Sequence, residues 1–291
     1  MKDRMRYYLL GAAFAGILAF TGCGAGSAEA EITEGSVEEY VQAAHQMLEE
    51  ADSFKASVEA VVSMNGAGET VTSGQVSFVK EPLFMNVDTV LSFDGGMEQE
   101  HDIYLEAGKD AVNQYMNYDG EWTEMTMTEG DALLSVQLYH SLYNMETIFS
   151  SAENWTMKKD GGEIVLEGSI PEEKFYAVEE YTRWFQLAGM SGLSEVYFAG
   201  VGDVPVTVML DGKTGKPLSY EIDLASALET VTNNVLTELS GGISGNGIVV
   251  TEYTIISELT QLGGVEAEPI PDAAKNSAIN YEEEISLMAK E

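Results

Sequence analysis

The side chains able to do covalent or acid–base chemistry are few and scattered. One thiol, Cys23, and three imidazoles, His45, His101 and His140, stand among 49 acidic residues. The histidines lie far apart, with no metal-ligand spacing and no companion thiols, so zinc is not expected and no metal ligand is assigned. Gly242-Ile243-Ser244-Gly245-Asn246 has Asn where a nucleophile elbow needs its last glycine, and Gly189-Met190-Ser191-Gly192-Leu193 fails at the same place. Gly66-Ala67-Gly68 does not complete a dinucleotide fingerprint, and no glycine loop leads into Lys-Ser/Thr to cradle phosphate. The Asn/Asp-Gly turns lack the spacing of a calcium loop with its terminal Glu. Carboxylates are so plentiful that any catalytic pair would be chosen after the fact. No catalytic residue is assigned, no cofactor is expected, and the chain reads as not an enzyme.

The lone cysteine has an informative context. Lys2, Arg4 and Arg6 outweigh Asp3, and Tyr7 to Phe20 are apolar or glycine, the pattern of a signal peptide over residues 1–22. That run is shorter than the roughly 20 residues a helix needs to cross a bilayer. It ends in Phe20-Thr21-Gly22-Cys23, followed by Gly24, Ala25, Gly26 and Ser27. This resembles the lipobox of bacterial lipoproteins, with Phe20 where that signal usually has Leu. The resemblance implies cleavage before Cys23 and a diacylglyceryl group on its thiol. Two acyl chains anchor stably where one binds only marginally, so the expected address is the outer face of the bacterial cytoplasmic membrane, with the membrane as partner through Cys23. An incidental cysteine in an ordinary secretory signal is the bland alternative. With Cys23 the sole cysteine, no intramolecular disulfide can form.

Charge narrows the partners further. The formal net charge is −35, and removal of residues 1–22 with Lys2, Arg4, Arg6 and Asp3 makes it more negative still. Such a field repels phosphate backbones, so nucleic acid is not a partner. At 45% apolar residues the chain is nonetheless one that folds.

The elements that would position a site follow from periodicity. Residues 23–35, the lipidated Cys and small acidic residues, read as a tether. Ser36 and Glu39 form a capping box opening a helix to about Asp52, with Val37, Val41, Ala44 and Leu48 on one face. From Phe54 the period becomes two. Ala56, Val58, Ala60, Val62 and Met64 share a face before an Asn65-Gly66 hairpin; Val76 and Phe78 follow, then Lys80-Glu81-Pro82. Leu83, Met85, Val87, Leu91 and Phe93 continue the apolar face, then Met97, Ile103 and Leu105 opposite Glu98, Glu100 and Asp102. Strands at 111–118 and 121–127 complete an antiparallel sheet with one dry face that needs cover. The cover is expected from short helices at 131–151 and from a helix of 172–188 with Phe175, Val178, Tyr181 and Phe185 on one stripe. Residues 190–202 read as an apolar loop, 204–210 and 218–224 as strands, then a helix to about Leu239, a last strand from Ile248 to Leu259, and an acidic tail over 266–291.

The order of an N-terminal helix, consecutive long hairpins, the Lys80-Glu81-Pro82 corner and Tyr115-Met116-Asn117-Tyr118-Asp119-Gly120-Glu121-Trp122 before inserted helices resembles the LolA/LolB-like superfamily, nearest its Gram-positive, lipobox-bearing lipoproteins. The resemblance covers about residues 36–260, within a domain bounded at 36–265. It implies an α+β fold, a curved antiparallel half-barrel sheet covered by helices, enclosing an apolar cavity for acyl chains. The fourteen methionines suit an adaptable wall, although Met85, Met97, Met116, Met125 and Met127 would equally fill an irregular core. The cavity is expected to be lined by Met85, Val87, Leu91, Ile103, Leu105, Tyr115, Trp122 and Met125 from the sheet and Phe175, Tyr181 and Phe185 from the covering helix, with its mouth near residues 190–200. His101 shares the dry-face register, as a core histidine or a contact to a ligand headgroup.

Two functions compete on these residues. One is a non-catalytic module that binds or carries a lipid or other amphiphile. The other is a cell-surface protein-interaction or envelope-sensor domain with a filled core and an unknown protein partner. A hydrolase has the least support.

Overall fold

Alternation of period two dominates residues 53–127, and the computed structural model turns it into six consecutive strands. It describes residues 32, 35–94, 96–240 and 247–280; Cys23 and the rest of the lipobox lie outside the described residues. The strands are β1 (Ser53–Met64), β2 (Gly68–Val79), β3 (Phe84–Phe93), β4 (Met97–Ala107), β5 (Val112–Tyr118) and β6 (Glu121–Met127). After the helical segments come β7 (Glu153–Asp160), β8 (Glu163–Ile170), β9 (Val204–Asp211), β10 (Pro217–Asp223), β11 (Val250–Leu262) and β12 (Ile279–Asn280). All join one open, curved sheet of 12 strands in the order β12-β6-β5-β4-β3-β2-β1-β11-β10-β9-β8-β7, antiparallel except at β12–β6. Hairpin neighbours pair in sequence order on each side, and β1 with β11 is the long-range closure that joins the two halves.

Register decides which side chains meet. Ala56, Val76, Val87 and Ile103 form one row across β1 to β4, and Phe54, Phe78, Met85 and Leu105 form the next. Every member of both rows is buried. Asp88, opposite Asp102, lies on the other face, as alternation requires. Gly74 pairs with Thr89, and a Cβ there would lie 2.2 Å from the carbonyl oxygen of Asp88, so the approach of β2 to β3 depends on glycine.

Helices fill the inner face. α1 (Val37–Glu50) opens with the expected box: the Ser36 hydroxyl accepts from the Glu39 amide at 3.3 Å, and the Glu39 carboxylate accepts from the Ser36 amide at 2.7 Å. α2 (Glu129–Ser135) and α3 (Ser141–Ser151) flank a 3₁₀ turn over Gln137–Tyr139. α4 (Glu172–Thr182) stops one turn earlier than its apolar stripe suggests. Arg183 takes a left-handed conformation, φ 58°, and the chain continues as a 3₁₀ segment, Trp184–Ala188, closed by Gly189 at φ 74°. α5 (Ala225–Leu239) packs on β11.

The described part of the expected tail folds back. α6 (Asp272–Ser277) brings Ala274, with Ile270 just before it, onto the outer face of β5 and β6, where both are buried with Phe84 and Tyr115. Lys275 and Glu106 pair at 3.0 Å, and Lys55 with Glu268 at 2.6 Å. As far as residue 280, the acidic segment expected as a tail therefore lies against the sheet.

Candidate functional site

The concave face is where the cavity was expected, and it is filled. Met85, Val87 and Leu105 have no accessible surface, Ile103 has 5%, and Phe175 and Phe185 have none. A void of several hundred Å³ would leave exposed surface on its walls, so these side chains are part of one continuous buried cluster that also holds Leu142, Met145 and Ile148 of α3. Leu91 and Met125 share that face but sit half-buried toward its margins, Leu91 level with Thr72 and Gln99, Met125 beside Gln114 on the outer side of Leu105.

Three of the expected lining residues belong elsewhere. Tyr115 pairs with Tyr104 and Glu124, which places it on the outer face with Phe84; Gln114 and Met116 point inward instead. Trp122 is also outside, 6.0 Å from the Tyr104 ring. Aromatic character misled because this outer face is itself covered by Ile270 and Ala274. Tyr181 is 46% exposed and stacks on Tyr143 at 4.4 Å, because the buried stripe of α4 runs Phe175, Val178, Thr182 and the break at Arg183 returns Phe185 to the core by another route. His101 does lie on the inner face, half-buried, 5.8 Å from the Tyr118 ring, and desolvation lowers its pKa. His140, half-buried beside Phe54 and Phe78, is held down to about 4 by desolvation, and its Nδ1 accepts from the Tyr143 amide at 3.3 Å.

A cleft does open where the mouth was expected. Residues Ser191, Gly192, Leu193 and Phe198 from the loop face Tyr176, Glu179, Glu180, Arg183 and Gln186 across a space of about 340 Å³. The left-handed turn at Arg183 builds it, since a continued helix would carry Gln186 and the loop along a different path. Glu179 is the unusual group. Its Oε1 accepts from the Phe185 amide at 3.0 Å, capping the first turn of the 3₁₀ segment, while Oε2 is buried without a hydrogen-bond partner. Burial pushes its pKa up to about 8, opposed by the amides of Phe185 and Trp184 and by the Arg183 guanidinium, so the carboxyl is largely protonated at neutral pH. The Tyr253 hydroxyl donates to the Trp184 carbonyl beneath it and is raised by burial and by Glu179.

Chemically the cleft offers the Arg183 guanidinium and the Gln186 carboxamide beside the apolar Leu193 and Phe198, while the Tyr176 hydroxyl bonds Glu180. The arrangement is one that can hold a ligand with an apolar part and a polar end. Glu179 and Arg183 are the residues that sequence reasoning missed. Nothing in the pattern of α4 separates a buried Glu from its exposed neighbours Glu173 and Glu180.

A large curved antiparallel sheet filled by helices defines the α+β class of this chain. No family model matches the chain, and no curated protein matches it. Among solved structures the chain is similar to a LolA superfamily protein from Nitrosomonas europaea, at 10% identity over 85% of this chain and 99% of that one, with a TM-score of 0.25. At that score the likeness carries no argument about function, and the fold class rests on strand order and register.

Proposed function

We propose that this chain is a non-catalytic binding module, tethered outside the cytoplasm through a lipidated Cys23, that holds a small amphiphile in the cleft between α4 and residues 191–198. The observation that carries the reading is the composition of that cleft. Leu193 and Phe198 supply an apolar wall, and Arg183 and Gln186 supply donors for a polar or anionic end, with Glu180 as the acidic side chain beside them. Its volume, about 340 Å³, falls at the small end of the roughly 300–1,000 Å³ usual for ligand sites. A filled concave face argues against a long acyl chain threaded through the interior.

The test is native mass spectrometry of the purified protein, followed by titration with a fluorescent acyl-chain probe. Arg183→Gln and Leu193→Asp should each weaken probe binding about tenfold, a loss of about 1.4 kcal/mol. A protein that carries no ligand and gives no response to the probe refutes the reading. The second reading, a protein-interaction domain, would then stand, and it draws on the complete burial of Met85, Val87 and Leu105.

A further inference from the structure

Away from the cleft, two helices bring three metal-ligating side chains to one point. His45 and Glu49 are four residues apart on α1 and so stand on the same face, with Nε2 and Oε1 separated by 3.8 Å. α3 packs against α1 and carries Glu146, and one ligand atom from each of the three residues lies within 4.8 Å of the others. The His45–Glu49 separation of 3.8 Å is too long for a hydrogen bond. It is near the roughly 3.4 Å expected between two ligands placed tetrahedrally at about 2.1 Å from zinc. His45 Nδ1 is shielded from solvent and has no hydrogen-bond partner among the described residues, which leaves Nε2 as the ring nitrogen that an ion can reach. The side chains of His45 and Glu49 are 42% and 61% exposed, which leaves room for water to complete a coordination shell.

We propose that His45, Glu49 and Glu146 form a binding site for a first-row divalent cation, best suited to zinc, that ties α1 to α3. Hard calcium and magnesium ions prefer an all-oxygen set, whereas one imidazole with two carboxylates suits zinc. The site departs from the expectation that no metal ligand is present, for a physical reason. The histidines are far apart in the sequence, and the third ligand is a carboxylate delivered by a second helix. α1 is the first helix after the 24–35 segment, so a bound ion would fasten to the body of the fold the element that follows the tether.

Titration of the full chain with zinc alone, in detergent and at physiological ionic strength, tests the site with bulk acidic attraction screened. One zinc ion per chain should bind at least tenfold tighter than magnesium or calcium. His45→Asn and Glu146→Gln should each weaken it tenfold or more, and Glu121→Gln, an exposed acid on β6, should leave it unchanged. In the unaltered chain, zinc should perturb the ring resonances of His45 and not those of His101, a readout independent of any variant's folding. Zinc affinity equal to that of magnesium, affinity insensitive to both substitutions, or an unshifted His45 resonance would each overturn the proposal.

Discussion

Glu179→Gln separates the ionisation of the buried carboxyl from its shape. In the folded chain burial holds this group at about 8 against an ordinary 4.5, so between those values the folded state keeps a proton that the unfolded state has released. Stability therefore falls as pH rises through the window, by about 1.4 kcal/mol per unit and on the order of 5 kcal/mol in all. His140 acts in the opposite sense: burial lowers it from 6.5 to about 4, so the unfolded state binds the extra proton and stability falls as pH drops through that range. The two slopes cancel between about pH 4.5 and 6.5, which leaves a net decline of about 2 kcal/mol between pH 6.5 and 8. With a urea slope of about 3 kcal/mol/M, that decline moves the unfolding midpoint by roughly 0.7 M. The carboxamide introduced by the substitution can still accept from the Phe185 amide, but it puts donors where Oε2 has no partner, at a cost of about 1–3 kcal/mol. By the same arithmetic the variant should be less stable than the parent below a crossover at roughly pH 5–7, more stable by about 2–4 kcal/mol above pH 8, and free of the decline between pH 6.5 and 8. Urea melts of both proteins from pH 4 to 9 measure this, and parallel profiles across that range would refute the reasoning.

Met85→Ala should cost about 2–5 kcal/mol in denaturant melts, and Leu91→Ala clearly less, because Met85 has no accessible surface while Leu91 is half-buried; equal costs would mean the concave face is not filled as described. Gly74→Ala drives a Cβ to within 2.2 Å of a backbone oxygen and should destabilise by about 1–3 kcal/mol, while Gly162→Ala, with open space around it, should be close to neutral. Cys23→Ser should release the domain from membranes or leave an unprocessed precursor while its melting curve stays that of the parent. A variant that remains membrane-bound at unchanged mass would remove the basis for the tether.

What could be read from the sequence divides along a physical line. Alternation over β1 to β4 fixes which residues face inward, because one face is apolar and the other carries Ser57, Glu59, Asp88 and Asp102. The signal fails at β5 and β6, where both faces are covered: Met116 and Gln114 meet the helices, and Tyr115 meets Ile270 and Ala274. A strand dry on both sides has no phase to read, and the covering segment comes from residues whose acidic, proline-broken composition suggested a tail. The cleft was legible only as a location. Its chemistry depends on Arg183 adopting φ 58°, which frees the amides of Trp184 and Phe185 to meet Glu179. Apolar periodicity is blind to that turn, since Phe175, Val178 and Phe185 satisfy a continuous helix as well as a broken one. The same limit applies at α1, where the i, i+4 pair of His45 and Glu49 is visible in the chain but Glu146 joins it only through the packing of α3. At both sites the decisive group is a carboxyl whose surroundings are set by a backbone turn or by helix packing, not by periodicity. In a chain with 49 acids, composition gives no reason to single out that one.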